Sequence, residues 1–297
     1  MYSLLAGPLR VERLTIPIRG LPPALIGIRL VQLSDFHFDG WRLSRQLLDQ
    51  AIATANQAAA DLILLTGDYV TDDPDPIDEL AHHLRSLKSR LGTYAVLGNH
   101  DLYYPHSYDK ISTALQEAGI QVLWDQVAYP FEEKMALVGL RDYWSSKFKP
   151  ARVMEQLCPD TPRIVLAHNP DSAQSLQQWR VDLQLSGHTH GGQLVIPGMG
   201  PIVSWLKPLR RKLPLPWRRW LPSLIKGSDK TVQHWEWSEG LHQVGTNLLY
   251  TNRGLGTHFP GRLFCPPEVT VLTLVAAETG CSPQDRQHCQ SQIPLSD

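Results

Sequence analysis

The side chains able to do chemistry in this sequence fall into five short clusters: Asp35-Phe36-His37, Gly67-Asp68, Gly98-Asn99-His100-Asp101, His168-Asn169 and Gly187-His188-Thr189-His190. In an extended segment, residues two apart lie on one side, so Asp35 and His37 could both face one metal ion while Phe36 turns away. The same holds for His188 and His190. Asp35, His37, Asp68, Asn99, His168, His188 and His190 make seven oxygen or nitrogen donors with no thiolate, a shell that suits Mn, Fe or Zn. Seven donors exceed what one ion needs. With one carboxylate bridging, two ions can sit ~3.5–4 Å apart, the arrangement that activates a bridging water and clamps an in-line phosphoryl displacement.

Donors spread over 156 positions need a rigid frame, and each cluster follows a short aliphatic or β-branched run. These runs predict strands at residues 26–33, 62–66, 93–97, 135–140, 164–167 and 183–186, with a late strand at 269–274. Helical patterns fit 43–60, where Ser44 can cap, and 77–91, 107–118 and 172–179. Strands alternating with helices indicate a layered α/β fold. Ligand sites in such folds form where strands reach their carboxyl ends, which is where the clusters lie.

The ordered series DxH, GD, GNHD, H and GHTH, from Asp35 to His190, resembles the calcineurin-like metallophosphoesterase superfamily. The resemblance implies a single-domain, four-layer α/β/β/α sandwich over residues 1–277 with a dinuclear metal site. Asp35, His37 and His190 would hold one divalent ion, Asn99, His168 and His188 the other, and Asp68 would bridge them. His100, oriented by Asp101, would protonate the leaving group or stabilise the transition state. A hydroxide held between the ions would attack phosphorus in line. Manganese stands ahead of iron or zinc as the expected metal.

Finer flanks, LSDFH, AHNPD, SGHTHGGQ, Asn252-Arg253-Gly254-Leu255-Gly256 and Pro267-Glu268-Val269, resemble a bacterial phosphodiesterase branch. That branch includes membrane-associated UDP-2,3-diacylglucosamine pyrophosphatases of lipid A synthesis. It implies a phosphodiester or pyrophosphate substrate, lipid-linked as UDP-2,3-diacylglucosamine is. Arg253 is then a candidate phosphate contact, although Asn252 stands where the branch often has Ser. His258, close after Arg253, is a further candidate for substrate binding. His82, His83, His106, His234 and His242 have no such support and read as solvated or locally packed.

Composition bounds the alternatives. At 297 residues and 42% hydrophobic, the chain can bury a large core, which excludes disorder and a minimal disulfide scaffold. Its 28 Lys plus Arg balance 29 Asp plus Glu, so bulk charge gives no attraction to nucleic acid, and a nucleic-acid partner is not expected. Between Asp182 and Asp229, however, seven cations from Lys207 to Lys226 meet no acid. With Trp205, Trp217, Trp220 and five prolines, residues 201–230 read as an inserted flap suited to an anionic membrane surface. Residues 278–297 read as a polar tail.

Four cysteines without metal-site spacing, and no segment that reads as a signal peptide or membrane span, predict a cytoplasmic protein peripheral to the inner face of the membrane. There is no GxSxG, GxxxxGK[ST] or strand-following GxGxxG, and Asp72-Asp73-Pro74-Asp75-Pro76 lacks the spacing of a calcium loop. Two rivals share the residues: a nuclease or cyclic-nucleotide phosphodiesterase with the same metals, and a non-catalytic membrane-surface scaffold whose metal site is structural.

Overall fold

The computed structural model describes residues 6–206 and 232–277. Most of the expected flap, 207–230, and the expected tail, 278–297, lie outside the described residues. In chain order the strands are β1 (Arg10–Ile18), β2 (Arg29–Leu33), β3 (Leu62–Leu65), β4 (Thr93–Ala95), β5 (Ile120–Val122), β6 (Gln126–Ala128), β7 (Pro130–Glu133) and β8 (Ala136–Gly139). They continue with β9 (Arg163–Leu166), β10 (Leu183–Ser186), the short β11 (Val195–Ile196) and β12 (Gly200–Pro201), then β13 (Gly240–Val244), β14 (Asn247–Thr251) and β15 (Glu268–Ala276). The helices are α1 (Arg45–Gln57), α2 (Ile77–Leu84), α3 (Ser107–Glu117), α4 (Ala151–Met154) and α5 (Ser172–Leu176).

Two six-stranded sheets form, in the orders β1-β15-β2-β3-β4-β5 and β13-β14-β10-β9-β8-β6. Strands β2 to β5 run parallel in one, and β8, β9, β10 and β14 run parallel in the other. Parallel strands covered on both faces read as unbroken apolar runs, as in Leu62-Ile63-Leu64-Leu65. Their alternation then divides the core. Leu30, Leu62 and Leu64 meet Ile164, Leu166, Leu183 and Leu185 between the sheets. Val31, Ile63 and Leu65 face outward onto Leu48, Ile52, Leu80, Leu84, Ile111 and Leu115 of α1, α2 and α3. Val138 and Val165 likewise face Val153, Met154 and Leu176 of α4 and α5. This is the α/β/β/α sandwich, and each fully buried Leu or Ile contributes about 1.5–3 kcal/mol.

Helix α1 starts where expected, with the Ser44 hydroxyl accepting from the Leu47 N–H at 3.2 Å. Helix α2 stops at Leu84 instead of 91 because Asn56 on α1 captures the Ser86 carbonyl (2.8 Å) and the Lys88 N–H (2.7 Å), drawing the chain off the helical path. The strand expected from residue 26 begins at Arg29, after a turn at Gly27 with φ 87°. Strands β1, β5, β6, β7, β11, β12, β13 and β14 were not expected. Among the described residues no helix is long and apolar enough to cross a membrane.

Candidate metal centre

Both sheets deliver their donors to one edge. Asp35 and His37 follow β2, Asp68 follows β3, Asn99 to Asp101 follow β4, His168 follows β9, and His188 and His190 follow β10. Past the strand ends the chains still brace one another: Asp35 N–H donates to the Gly67 carbonyl (2.9 Å), His37 N–H to Asp68 (3.0 Å) and Gly187 N–H to His168 (2.9 Å). Asp35, His37, Asp68, His188 and His190 all adopt positive φ, between 43° and 70°. Asp and His tolerate this region better than most residues, yet five together hold strain that the surrounding sheets must sustain. Two glycines make room. A Cβ on Gly98 would lie 2.1 Å from Asp68 Oδ1, and one on Gly187 would lie 2.1 Å from Asp35 Oδ2.

The donor atoms converge. Asp68 Oδ2 lies 3.1 Å from His168 Nε2 and 3.5 Å from His37 Nε2. His37 Nε2 lies 3.1 Å from His190 Nε2, which is 3.5 Å from Asp35 Oδ1, while His188 Nδ1 is 3.2 Å from His168 Nε2. Hydrogen bonds at the far ring nitrogens fix two of these imidazoles. His168 Nδ1–H donates to the Thr66 carbonyl at 2.7 Å and His190 Nδ1–H to the Gly256 carbonyl at 3.2 Å, so each turns Nε2 toward the cluster.

The electrostatics ask for positive charge here. Burial raises Asp35 to about 6, whereas Asp68, despite burial, is held well below the usual carboxylate range by His168, His100 and His37. Burial pulls His168 down, but Asp68 and Asp35 override it and bring the ring to about 10. Burial keeps His37 and His190 well below their ordinary value, hence neutral and able to donate a lone pair. A proton on His168 thus does part of the work that a cation would do. Asn99 Oδ1 is buried without a hydrogen-bond partner. An orphaned acceptor among carboxylates and neutral imidazoles is what a divalent ion satisfies, so the residues present fit such ions.

The remaining candidates separate. The His100 N–H donates to Asp68 Oδ1 (3.0 Å), and its ring is held through Nδ1 by the Thr71 carbonyl. Asp101, expected to orient that ring, does something else. Its carboxylate accepts from the backbone N–H groups of Asp68 (2.9 Å), Tyr69 (2.8 Å), Val70 (3.3 Å) and Gly98 (2.8 Å), tying the β3 and β4 turns together. It sits in the helical turn at 100–102, which directs it inward under the two loops.

His258 joins the cluster, its ring centroid 4.4 Å from that of His37 and 4.8 Å from that of His190. The Arg42 Nε–H donates to its Nδ1 at 3.2 Å, and burial, then Arg42 and His100, lower it to about 4. Arg253 does not reach out. Its guanidinium meets Glu12, Glu239 (3.5 Å) and Glu268, with Nε 2.7 Å from Glu268 Oε2 but not aligned as a hydrogen bond. The same network holds the 252–256 turn, where a Cβ on Gly254 would lie 2.6 Å from that of Asp35. Sequence reasoning missed Arg42 and Asp142, the latter buried beside His168 with Oδ1 unpartnered and raised by that burial. The position of Asp142 at the carboxyl end of a predicted strand was the available signal.

An α/β/β/α sandwich with carboxylate, amide and imidazole donors gathered at its strand ends defines a metal-dependent hydrolase of phosphate esters. The family model for calcineurin-like phosphoesterases matches residues 28–192, and the chain belongs to that family, whose members use divalent metals. It is similar to phosphodiesterase YaeI of Escherichia coli (strain K12), 35% identical over 254 residues that cover 83% of this chain and 82% of that one. The uncharacterized metallophosphoesterase YkuE of Bacillus subtilis (strain 168) is 31% identical over 269 residues, 88% and 83% of the two chains. The UDP-2,3-diacylglucosamine pyrophosphatase LpxG of Chlamydia trachomatis serovar D is 27% identical over 313 residues, 89% and 88%.

Proposed function

We propose that the protein hydrolyses a phosphodiester or pyrophosphate bond in a lipid-linked substrate, with UDP-2,3-diacylglucosamine the first to test, while peripheral to a membrane. Asp35, His37 and His190 would hold one divalent ion and Asn99, His168 and His188 a second, with Asp68 between them and manganese ahead of iron or zinc. Bound there, the ions supply Lewis-acid charge neutralisation at phosphorus and acidification of water. The chain's own groups position the rest. His100, tethered at Nδ1, has Nε2 to pass a proton to the leaving oxygen. His258, whose Nδ1 accepts from Arg42, carries its proton on Nε2 when neutral and is therefore a donor to a phosphoryl oxygen, not a metal ligand. Arg253 braces the turn beneath Asp35 and leaves phosphate binding to others.

The observation that supports a lipid-linked substrate is an apolar rim on the loops that carry the donors. Trp41, Phe259 and Phe264 are 71%, 69% and 67% exposed, and Leu263, Ile196, Met199 and Trp205 are also exposed. Hydrogen bonds stitch these loops into one surface: Thr257 N–H to Arg42 O (3.0 Å), Val195 N–H to Leu263 O (3.0 Å) and Leu263 N–H to Gln193 O (2.8 Å). The Trp205 indole N–H donates to Met199 O at 2.7 Å. Apolar side chains left in water beside a polar site suit acyl chains. The test is a product assay on metal-loaded protein with UDP-2,3-diacylglucosamine, an aryl diester and single-stranded DNA. Release of UMP from the first is expected. Cleavage of the aryl diester or DNA without it would overturn the lipid assignment.

A further inference from the structure

We propose a second anion-binding subsite: a cationic groove beside the metal centre that takes a phosphate-bearing group of the substrate on one side of the scissile bond. The groove has a volume of about 540 Å³ and is lined by Trp124, Arg141, Ser146, Lys147, Lys149 and Arg152. It continues into a cavity of about 360 Å³ that reaches Leu102 and Tyr108. Leu102 closes the turn that carries His100 and Asp101. The 141–152 loop leaves β8 through Asp142, the buried carboxylate beside His168. Because β5 runs parallel to β4, Trp124 emerges at the same edge as Asn99 and His100. The groove is therefore a lateral extension of the catalytic edge.

Three of its four cations are uncompensated. Arg141 is paired with Asp125 Oδ2 at 2.5 Å and lies over the Trp124 ring, 5.3 Å from its centroid, with Tyr108 against the same indole at 5.0 Å. Lys147, Lys149 and Arg152 have no carboxylate partner among the described residues, and all three are exposed. Ordinary solvated lysines sit on a convex surface. These three belong to a loop that the fold fixes: Ser145 N–H donates to Asp142 O (3.1 Å), Phe148 N–H to Ser145 O (2.9 Å) and Met154 N–H to Pro150 O (2.9 Å). Phe148 between the two lysines packs on the core with Val138 and Val165. Three free cations and the Ser146 hydroxyl converging on one concavity suit the oxygens of a phosphate group. A groove of this volume is on the scale of a nucleotide or a lipid headgroup. The proposal rests on the phosphate-ester reading of the site but not on the identity of the lipid.

The test compares wild type with K147A/K149A/R152A, three exposed positions whose thermal midpoint reports any misfolding. Calorimetry on the metal-loaded proteins uses UMP and glycerol 3-phosphate as probes, with uridine and glycerol as neutral controls. Since charge-assisted hydrogen bonds are the strong ones, at least one phosphate probe should bind about tenfold more weakly to the variant, with a flatter dependence on ionic strength. UMP alone responding assigns the nucleotide side of the substrate, and glycerol 3-phosphate alone assigns the headgroup side. In kinetics, the ratio of kcat/KM for UDP-2,3-diacylglucosamine to that for an aryl diester should fall by a similar factor. Equal affinities of both probes for the two proteins would overturn the proposal. So would a variant that loses single-stranded DNA binding alone. If UDP-2,3-diacylglucosamine is not hydrolysed yet UMP binding weakens in the variant, the groove stands and the lipid substrate falls.

Discussion

Trp41, Phe259 and Phe264 stand on one flank of the donor cluster and Lys147, Lys149 and Arg152 on the other, and the strand order explains the difference. In the sheet orders β15-β2-β3-β4-β5 and β14-β10-β9-β8-β6, the apolar residues leave the ends of β2, β10 and β14. The cationic loop and Trp124 leave β8 and β5, at the far side of β3 and β9. One edge of one sandwich thus presents an apolar flank, a metal-ligand centre and a cationic flank in sequence. A molecule with acyl chains on one side of the scissile bond and a phosphate-bearing group on the other is complementary to that order. A symmetric diester is not. The two flanks also bind in different ways: the rim relies on area removed from water, which salt leaves intact, and the groove on charge, which salt screens.

The largest effect should come from removing what the two flanks share. Asp68→Asn removes the carboxylate charge that His168, His100 and His37 surround, and activity on acylated and simple diesters alike should fall by roughly 10²–10³-fold or more. Metal content measured on the same preparation should drop with it. An active, metal-replete Asp68→Asn protein would place the reaction elsewhere. Next comes the foundation of the apolar flank. Arg253→Met leaves the buried Glu268 with its Tyr250 hydrogen bond (2.6 Å) but without a cation. Breaking such a pair costs about 3–5 kcal/mol, so denaturant titration should show that loss. A variant of normal stability with weakened substrate binding would return Arg253 to the role of phosphate contact.

A smaller, more selective effect is expected from the rim itself. Trp41→Ser, Phe259→Ser and Phe264→Ser are exposed, so the fold should tolerate them, but each loses up to about 1.5–3 kcal/mol of acyl-chain contact. The measurement is kcat/KM on a long-chain substrate against its deacylated counterpart. Discrimination between the two should collapse, and high salt should not reproduce the effect. Discrimination that salt abolishes in the unmodified protein would mean that the two flanks had been assigned the wrong way round.

What the sequence disclosed follows the same division. The donor clusters were legible because chemistry confines them to few residue types at strand ends, and the strands before them because Leu62–Leu65 and Leu183–Ser186 are buried on both faces. Strand β1 was hidden by its alternation: Arg10, Glu12 and Pro17 interrupt it, and it survives as an edge strand paired only to β15. The cationic groove was invisible for a different reason. Arg141, Lys147, Lys149 and Arg152 are spaced as any polar loop, and only the pairing of β4 with β5 brings Trp124 and Leu102 against them. His258 and Arg42 are 216 residues apart, and a contact at that separation carries no local signal. Asp101, to which the resemblance assigned the orienting of His100, adjoins it in sequence, but the turn at 100–102 sends the two side chains to different loops.

The smallest predicted effect tests the Arg42 and His258 pair, which borders the rim yet acts by polarity. Arg42 is itself pinned by Asp39, and its Nε–H fixes the His258 tautomer by occupying Nδ1. Arg42→Met should free the ring to protonate either nitrogen, so the donor facing phosphate is present only part of the time. A neutral hydrogen bond is worth about 0.5–1.5 kcal/mol, which predicts a twofold to tenfold rise in KM with kcat less affected. The readout that a merely structural role would not move is the pattern of His258 ring nitrogens in a 15N-labelled spectrum. It should show Nε2–H in the native protein and a tautomer mixture in the variant. A native protein with Nδ1–H at His258 would instead make Nε2 a free lone pair beside His37 and His190, and would move His258 from phosphate donor to metal ligand.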